Sequence, residues 1–206
     1  MEITPTRGAL LESRDDRQVM REGYRFLDEK RLLLASEIMR QFTDYRRLHA
    51  EHRDCHRQAV AALADAVTLH GLHGLQLVSV RARETTRIER RERMFFGVPL
   101  VDEVRLVAGS GGVGGGGAAA VTAGVRRCAE LFVELLRASA VLAGVAGNLH
   151  RLLAEYRRTE RRARALEDVI LPELDEAIHE MEIRLEELDQ EEAIRVRLGG
   201  RSESDG

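Results

Sequence analysis

From Met20 onward the chain sets side chains on an alternating four–three spacing: Met20, Tyr24, Leu27, Arg31, Leu34, Ile38, Gln41 and Tyr45. All but Arg31 and Gln41 are apolar or aromatic, and Leu33, Phe42 and Leu48 widen the stripe. This is a seven-residue repeat, which keeps one stripe of an α-helix facing a partner helix and predicts a left-handed coiled coil. No proline falls between residues 6 and 98. At ~1.5 Å per residue, a helix from Thr6 to Leu69 would be on the order of 90 Å long. A helix of that length cannot bury its stripe on a compact core and needs an equally long partner. The other end of the chain supplies one. Between about Val125 and Arg197 a second stripe runs through Leu131, Leu135, Leu142, Leu149, Leu152 and Tyr156. It resumes at Leu166, Ile170, Leu174, Ile178, Met181, Leu185 and Leu188. Two such helices can fold back as an antiparallel pair, although periodicity alone equally allows a parallel dimer of whole chains.

The middle of the chain breaks the pattern. His70-Gly71-Leu72-His73-Gly74 is a helix break. Residues 75–84 (LQLVSVRARE) and 93–107 (RMFFGVPLVDEVRLV) have period-two character, with Gly97 and Pro99 as punctuation, and are expected to be the arms of a β-hairpin or a small β-rich knob. The expected fold class is mainly α: a long antiparallel two-helix coiled coil formed by the N- and C-terminal helices, with a small β-hairpin-containing middle region. The corresponding divisions are a coiled-coil helix over 1–70, a hairpin knob and Gly-rich connector over 71–124, a coiled-coil helix over 125–198 and a disordered tail over 199–206.

Composition agrees with long helices. A third of the residues are charged, 4% are aromatic and there is no Trp. The net charge of −3 does not favour a nucleic-acid partner, which usually draws on a basic excess. Cys55 and Cys128 form no C-x-x-C pattern and read as reduced thiols of a cytosolic protein. The first residues, MEITPTRGALLESRDD, hold no apolar signal core, and no run of 18 apolar residues exists, so no membrane span is expected.

Several stretches invite a chemical reading. Gly109-Ser110-Gly111-Gly112-Val113-Gly114 fits G-x-G-x-x-G, with Glu130 and Glu134 near the distance of a ribose-binding acid. A dinucleotide site also needs a second strand, and the helical periodicity from Val125 onward leaves no room for one. No Gly-Lys-Ser/Thr follows either, so the run reads as a flexible connector. His49, His52, Cys55 and His56 cluster on one helix, but Arg53 stands where H-E-x-x-H needs Glu. Only His150 offers a ligand from the second helix at a comparable level, so the cluster reads as a solvated or seam-edge face and not a zinc site. The Arg-rich blocks at 87–93 and 157–164 are interleaved with Glu and read as solvated faces or docking surfaces for acidic proteins. Asp15-Asp16 and Glu186-Glu187 have no base–nucleophile partner. The sequence therefore offers no catalytic, cofactor-binding or metal-binding residue. Pro172, inside LEDVILPELDEAI, interrupts a helical stripe and implies a kink or a local change of supercoil, since a proline in a helix interior removes a bond and meets the carbonyl four residues back.

Particular words at both ends carry a resemblance. They are Thr4-Pro5-Thr6-Arg7, Gly23-Tyr24 with Leu27, Lys30 and Arg31, and Ile38-Met39-Arg40-Gln41-Phe42. Near the C-terminus stand Arg161-Arg162-Ala163-Arg164-Ala165-Leu166-Glu167, Ile170-Leu171-Pro172 with Leu174, and Glu191-Glu192 with Arg195. With Gly97-Val98-Pro99 between them, the chain resembles the D subunit of the V/A-type rotary ATPases over nearly its whole length. It departs from the family's usual pattern at ESRDDRQ, at Tyr24 where a His is common, at Arg164 where an Asn is common, and in the Gly run. The resemblance implies a non-catalytic central-stalk rotor shaft that couples ATP hydrolysis or synthesis in a catalytic hexamer to proton or sodium transport. Its implied partners are the catalytic and regulatory subunits of that hexamer, the F subunit of the central stalk and the socket subunit on the membrane rotor ring, on the cytoplasmic side of the membrane. No cofactor is implied for this chain, because nucleotide binds to the hexamer. A free-standing coiled-coil adaptor or scaffold is the alternative.

Overall fold

The computed structural model describes residues 6–76, 87–107 and 122–202. Helix α1 spans Arg7–Gln76, strands β1 and β2 span Arg87–Phe95 and Val98–Val107, and helix α2 spans Ala123–Ala165. A π-helical turn, Leu166–Ile170, then leads into α3, Leu171–Ser202. The fold class is the expected one, mainly helical with a two-stranded antiparallel hairpin between the long helices. A threonine opens each helical arm. The Thr6 hydroxyl accepts the Ala9 N–H at 3.1 Å, and the carbonyls of Thr6 and Thr122 accept the first helical bonds from Leu10 and Arg126. The Thr6 hydroxyl thereby satisfies the Ala9 N–H, a first-turn donor that would otherwise be orphaned. Gly71, with φ 66° and ψ 163°, interrupts α1 inside the HGLHG break. The Gly run at 109–117 lies outside the described residues, as do residues 203–206 of the expected tail; α3 itself continues to Ser202.

The chain forms two compact units, Met1–Leu33 with Tyr156–Gly206, and Leu34–Glu155. In the first, the start of α1 lies antiparallel to α3. Arg7 pairs with Asp189 at 2.9 Å, Arg14 with Glu182 at 2.6 Å and Arg17 with Asp175 at 3.0 Å, the partner's number falling as the arginine's rises. Ala163, Ile178 and Met181 are buried, with Met20, Tyr24 and Leu27 half-buried along α1. The π-turn answers Pro172. In a regular α-turn the proline ring would meet the Asp168 carbonyl. Here the Leu171 N–H bonds back to the Leu166 carbonyl, five residues earlier, so the turn widens just ahead of the ring.

In the second unit the α1 stripe continues on the same spacing. Leu34, Gln41, Ala59 and Ala66 are buried, and Tyr45, Leu48, His52, Cys55 and Ala62 half-buried. From α2, Val125, Cys128, Leu131 and Leu152 are buried. His52 Nε2 lies 2.9 Å from Ser139 Oγ and His70 Nε2 2.8 Å from Thr122 Oγ1, again antiparallel. The hairpin adds Val98 and Leu100 to this core.

The hairpin differs in place from the expectation. Residues 93–107 are not one arm: they contain the turn, Phe96-Gly97, with φ 46° and 84°. Two successive positive φ values give the primed turn that matches strand twist. The first arm is Arg87–Phe95, most of it the Arg-rich block. Of the segment expected to form that arm, Leu75 and Gln76 end α1, and 77–84 lie outside the described residues. The physical reason is that β1 buries none of its residues, so it carries no alternation for sequence to reveal.

Candidate functional site

The most constrained polar chemistry of the second unit lies where the hairpin meets the helices. Counting from the two-residue turn, Phe95–Val98 and Arg93–Leu100 occupy hydrogen-bonded places in the ladder, while Pro99 and Val101 turn their peptide groups away from β1. Pro99 is tolerated there because no ladder bond needs its nitrogen. Val101 presents a free donor and a free acceptor to α2, and Asn148 takes both. The Val101 N–H donates to Asn148 Oδ1 at 2.7 Å, and Asn148 Nδ2 donates to the Val101 carbonyl at 2.8 Å. Arg151 Nη2 donates to the same Oδ1 at 2.8 Å. Asn148 is 1% exposed, so water does not substitute for these partners. One turn earlier, Gly144 lets the strand close in: a Cβ there would lie 2.8 Å from Val104 Cγ2.

Glu37 on α1 forms a second anchor. Its carboxylate is buried and accepts from Arg40 Nη2 at 2.6 Å, Arg40 Nε at 2.8 Å, Gln41 Nε2 at 3.0 Å and, from the hairpin, Arg93 Nη2 at 2.8 Å. The Arg40 hydrogen bonds hold its pKa below the usual glutamate value of 4.5, against the opposing effect of burial, with Gln41 adding to them. Arg93 also reaches Asp102, at 3.6 Å, and lies over the Phe95 ring at 5.6 Å. Asp102 is held below the usual carboxylate range chiefly by the hydrogen bond from Arg91. A register shift falls between Arg91 and Glu92, leaving Asp102 as the extra residue of β2. These groups do not form a nucleophile–base pair. They fix a backbone in place.

In the first unit, two of the words that carried the resemblance meet. A Cβ on Gly23 would lie 3.9 Å from Leu166 Cδ1, and Tyr24 shares a hydrogen bond with Glu167 that raises the phenol's pKa. The helix word 38–42 supplies Arg40 and Gln41 to Glu37, and Gly97-Val98-Pro99 supplies the turn and a buried Val98. The His/Cys cluster divides instead. His52 and Cys55 face the seam, while His49, which stacks on Tyr45, His56 and His150 are exposed. Ser139 Oγ donates to the Leu135 carbonyl at 2.8 Å, so it accepts from His52, placing that ring's proton on Nε2. Among the described residues no group of His, Cys, Asp or Glu is placed to hold a metal ion, and no helix is long and apolar enough to cross a membrane. Burial raises the Cys128 thiol's pKa, which keeps it protonated and unreactive. Sequence reasoning missed Asn148 and Glu37. The signal was a lone amide in the apolar run 138–149, flanked by Gly144 and Gly147, and an acid one turn from the polar ladder member Gln41.

A family profile for the D subunit of ATP synthase matches residues 9–198. Among relatives, the D subunit of the A-type ATP synthase of Methanoregula boonei is 28% identical, over 95% of this chain and 94% of its own length. That of Pyrococcus abyssi is 30% identical over 96% and 92%. The D subunit of the V-type ATP synthase of Anaeromyxobacter dehalogenans is 34% identical over 93% and 92%. With its terminal helices paired antiparallel and a hairpin between them, the chain belongs to the family of ATP synthase D subunits.

Proposed function

We propose that this chain is the non-catalytic rotor shaft of a V/A-type ATPase or ATP synthase, coupling ATP turnover in a catalytic hexamer to proton or sodium movement across a membrane. The observation that carries the reading is the match to the D-subunit family over residues 9–198. The apolar surface supports it. In the first unit Leu11, Val19 and Phe26 of α1 and Ile183, Ile194 and Val196 of α3 are 44–69% exposed. Exposed apolar side chains on both helices are available for contact with partner subunits. On this reading the partners are the catalytic and regulatory subunits of the hexamer, the F subunit of the stalk and the socket subunit of the membrane ring, on the cytoplasmic side. A helix pair whose outer face differs around its circumference offers each catalytic interface different contacts as it turns, and differential contact is what biases alternate states.

Affinity capture of the tagged chain from its own cells tests this. Co-purification of catalytic and regulatory ATPase subunits is the expected result. A self-associated chain without them supports a free-standing scaffold, and ATP or NAD binding by the isolated chain contradicts the non-catalytic assignment.

A further inference from the structure

We propose that Asn148 is the positioning residue that makes the β1–β2 hairpin a fixed part of the body formed by the second unit's helices and not a hinged flap; its consequence for turnover rests on the rotor reading above. A two-stranded hairpin is marginal by itself. Strand β1 buries no residue, so apolar burial can hold the hairpin only through β2. The fully buried side chains of β2, Val98 and Leu100, both lie close to the turn, and from Val101 to Val107 none is fully buried. Apolar burial therefore anchors one end only. Beyond it, the Asn148 amide grips the Val101 peptide by donor and acceptor together, and Gly144 admits Val104 so closely that an added Cβ would lie 2.8 Å from its Cγ2. The two bonds run in opposite senses, so they fit one register. Sliding β2 by one residue would turn the neighbouring peptide groups toward β1 and leave the buried amide unpaired. Glu37 and Arg93 add a second tie from α1. Fixing the hairpin at two helices means that rotation of the helices carries the hairpin with it without lag.

Amide hydrogen exchange on the full-length chain, read by NMR, tests the clamp. In Asn148→Ala, exchange of hairpin amides from Arg91 to Val104 should quicken at least about tenfold, roughly the worth of one lost hydrogen bond, while Ala59 and Ala66 in the α1 seam keep their protection. Asn148→Asp keeps the acceptor for the Val101 N–H but sets oxygen against the Val101 carbonyl, and should fall between. Unchanged hairpin protection overturns the proposal, as does a loss that reaches Ala59 and Ala66 equally, which would make Asn148 a general stabiliser. The consequence is tested in the reconstituted complex. Asn148→Ala should lower ATP hydrolysis. Adding Val104→Cys with Gly144→Cys should restore it when the disulfide is oxidised and not when it is reduced. Failure of the oxidised crosslink to restore turnover overturns the positioning role. If even the unaltered chain does not assemble with ATPase subunits, the rotor reading fails, while the exchange result still decides the clamp.

Discussion

The two units place their polar links differently: the first joins helix to helix, the second joins helices to a docked hairpin. In the first, the polar links between α1 and α3 lie at the rim, with Arg7 and Asp189 at 79% and 57% side-chain exposure. In the second, Glu37, Gln41 and Asn148 are buried, and two of the three bond to the hairpin directly. Rim pairs between solvated charges gain little over water and forgive a lost partner. Buried groups do not: once one partner is removed, the other stays out of water with nothing to bond. A helix pair with nothing docked on it can leave its register to the apolar stripe. Where a short, charged hairpin must sit in one place, apolar burial is too sparse, and directional bonds take over.

Glu37→Ala should break this contrast most. It strips Arg93, Arg40 and Gln41 of a shared acceptor and should cost about 3 kcal/mol in chemical denaturation. The same carboxylate predicts an acid dependence. Its folded pKa lies below the usual 4.5, so its contribution is complete above that value and lost as pH falls through the folded pKa. Glu37→Gln should flatten the acid limb of stability against pH. A parallel acid limb in both proteins would show that the carboxylate does not hold the hairpin.

Gly144→Val comes next. Its branched side chain meets Val104, and overpacking of this kind should cost about 2 kcal/mol, with chemical-shift changes centred on Val101–Val104. Changes confined to α2 would mean that the strand does not depend on this approach. Phe96→Asn should act in the opposite direction. Phe96 adopts φ 46°, a left-handed conformation that a bulky residue resists and Asn accepts, so the variant should gain about 1 kcal/mol in thermal unfolding. A loss instead would assign the exposed Phe96 ring a packing role against Phe95.

The helices were legible because burial against a long partner writes its period into the chain. The stripe from Met20 to Tyr45 and most of its return lie on the seam, whereas Ile170 and Leu188 of the return, and Leu33 and Phe42 beside the first stripe, are exposed. The polar ladder member Gln41 is buried too, and its partner, Glu37, was invisible because an acid in a helix usually faces water. Strand β1 was misplaced because RIERRERMF is charged on both faces and exposed almost throughout; nothing in it distinguishes a strand from a solvated helix until β2 pairs with it. Pro172 was legible as a disturbance, but its resolution as a π-turn depends on a backbone register slip that no side-chain pattern records.

The smallest effect is expected at the rim of the first unit. Asp175 faces Arg17 at 3.0 Å and Arg21 at 3.8 Å, and all three side chains are at least 31% exposed. Asp175→Asn removes the charge, keeps the size and leaves both arginines free to turn to water. The loss should be about 0.5 kcal/mol, and it should shrink further at about 1 M salt, where screening acts within roughly 3 Å. A double-mutant cycle with Arg17→Gln, measured by urea denaturation at low and high salt, separates the pair from other effects of either change. A coupling as large as the cost of Glu37→Ala would mean that the first unit also sets its register through charge, and the contrast between the two units would be lost. A small coupling abolished by salt leaves the apolar stripe, with Ala163, Ile178 and Met181 at its centre, as what aligns α1 with its partners there.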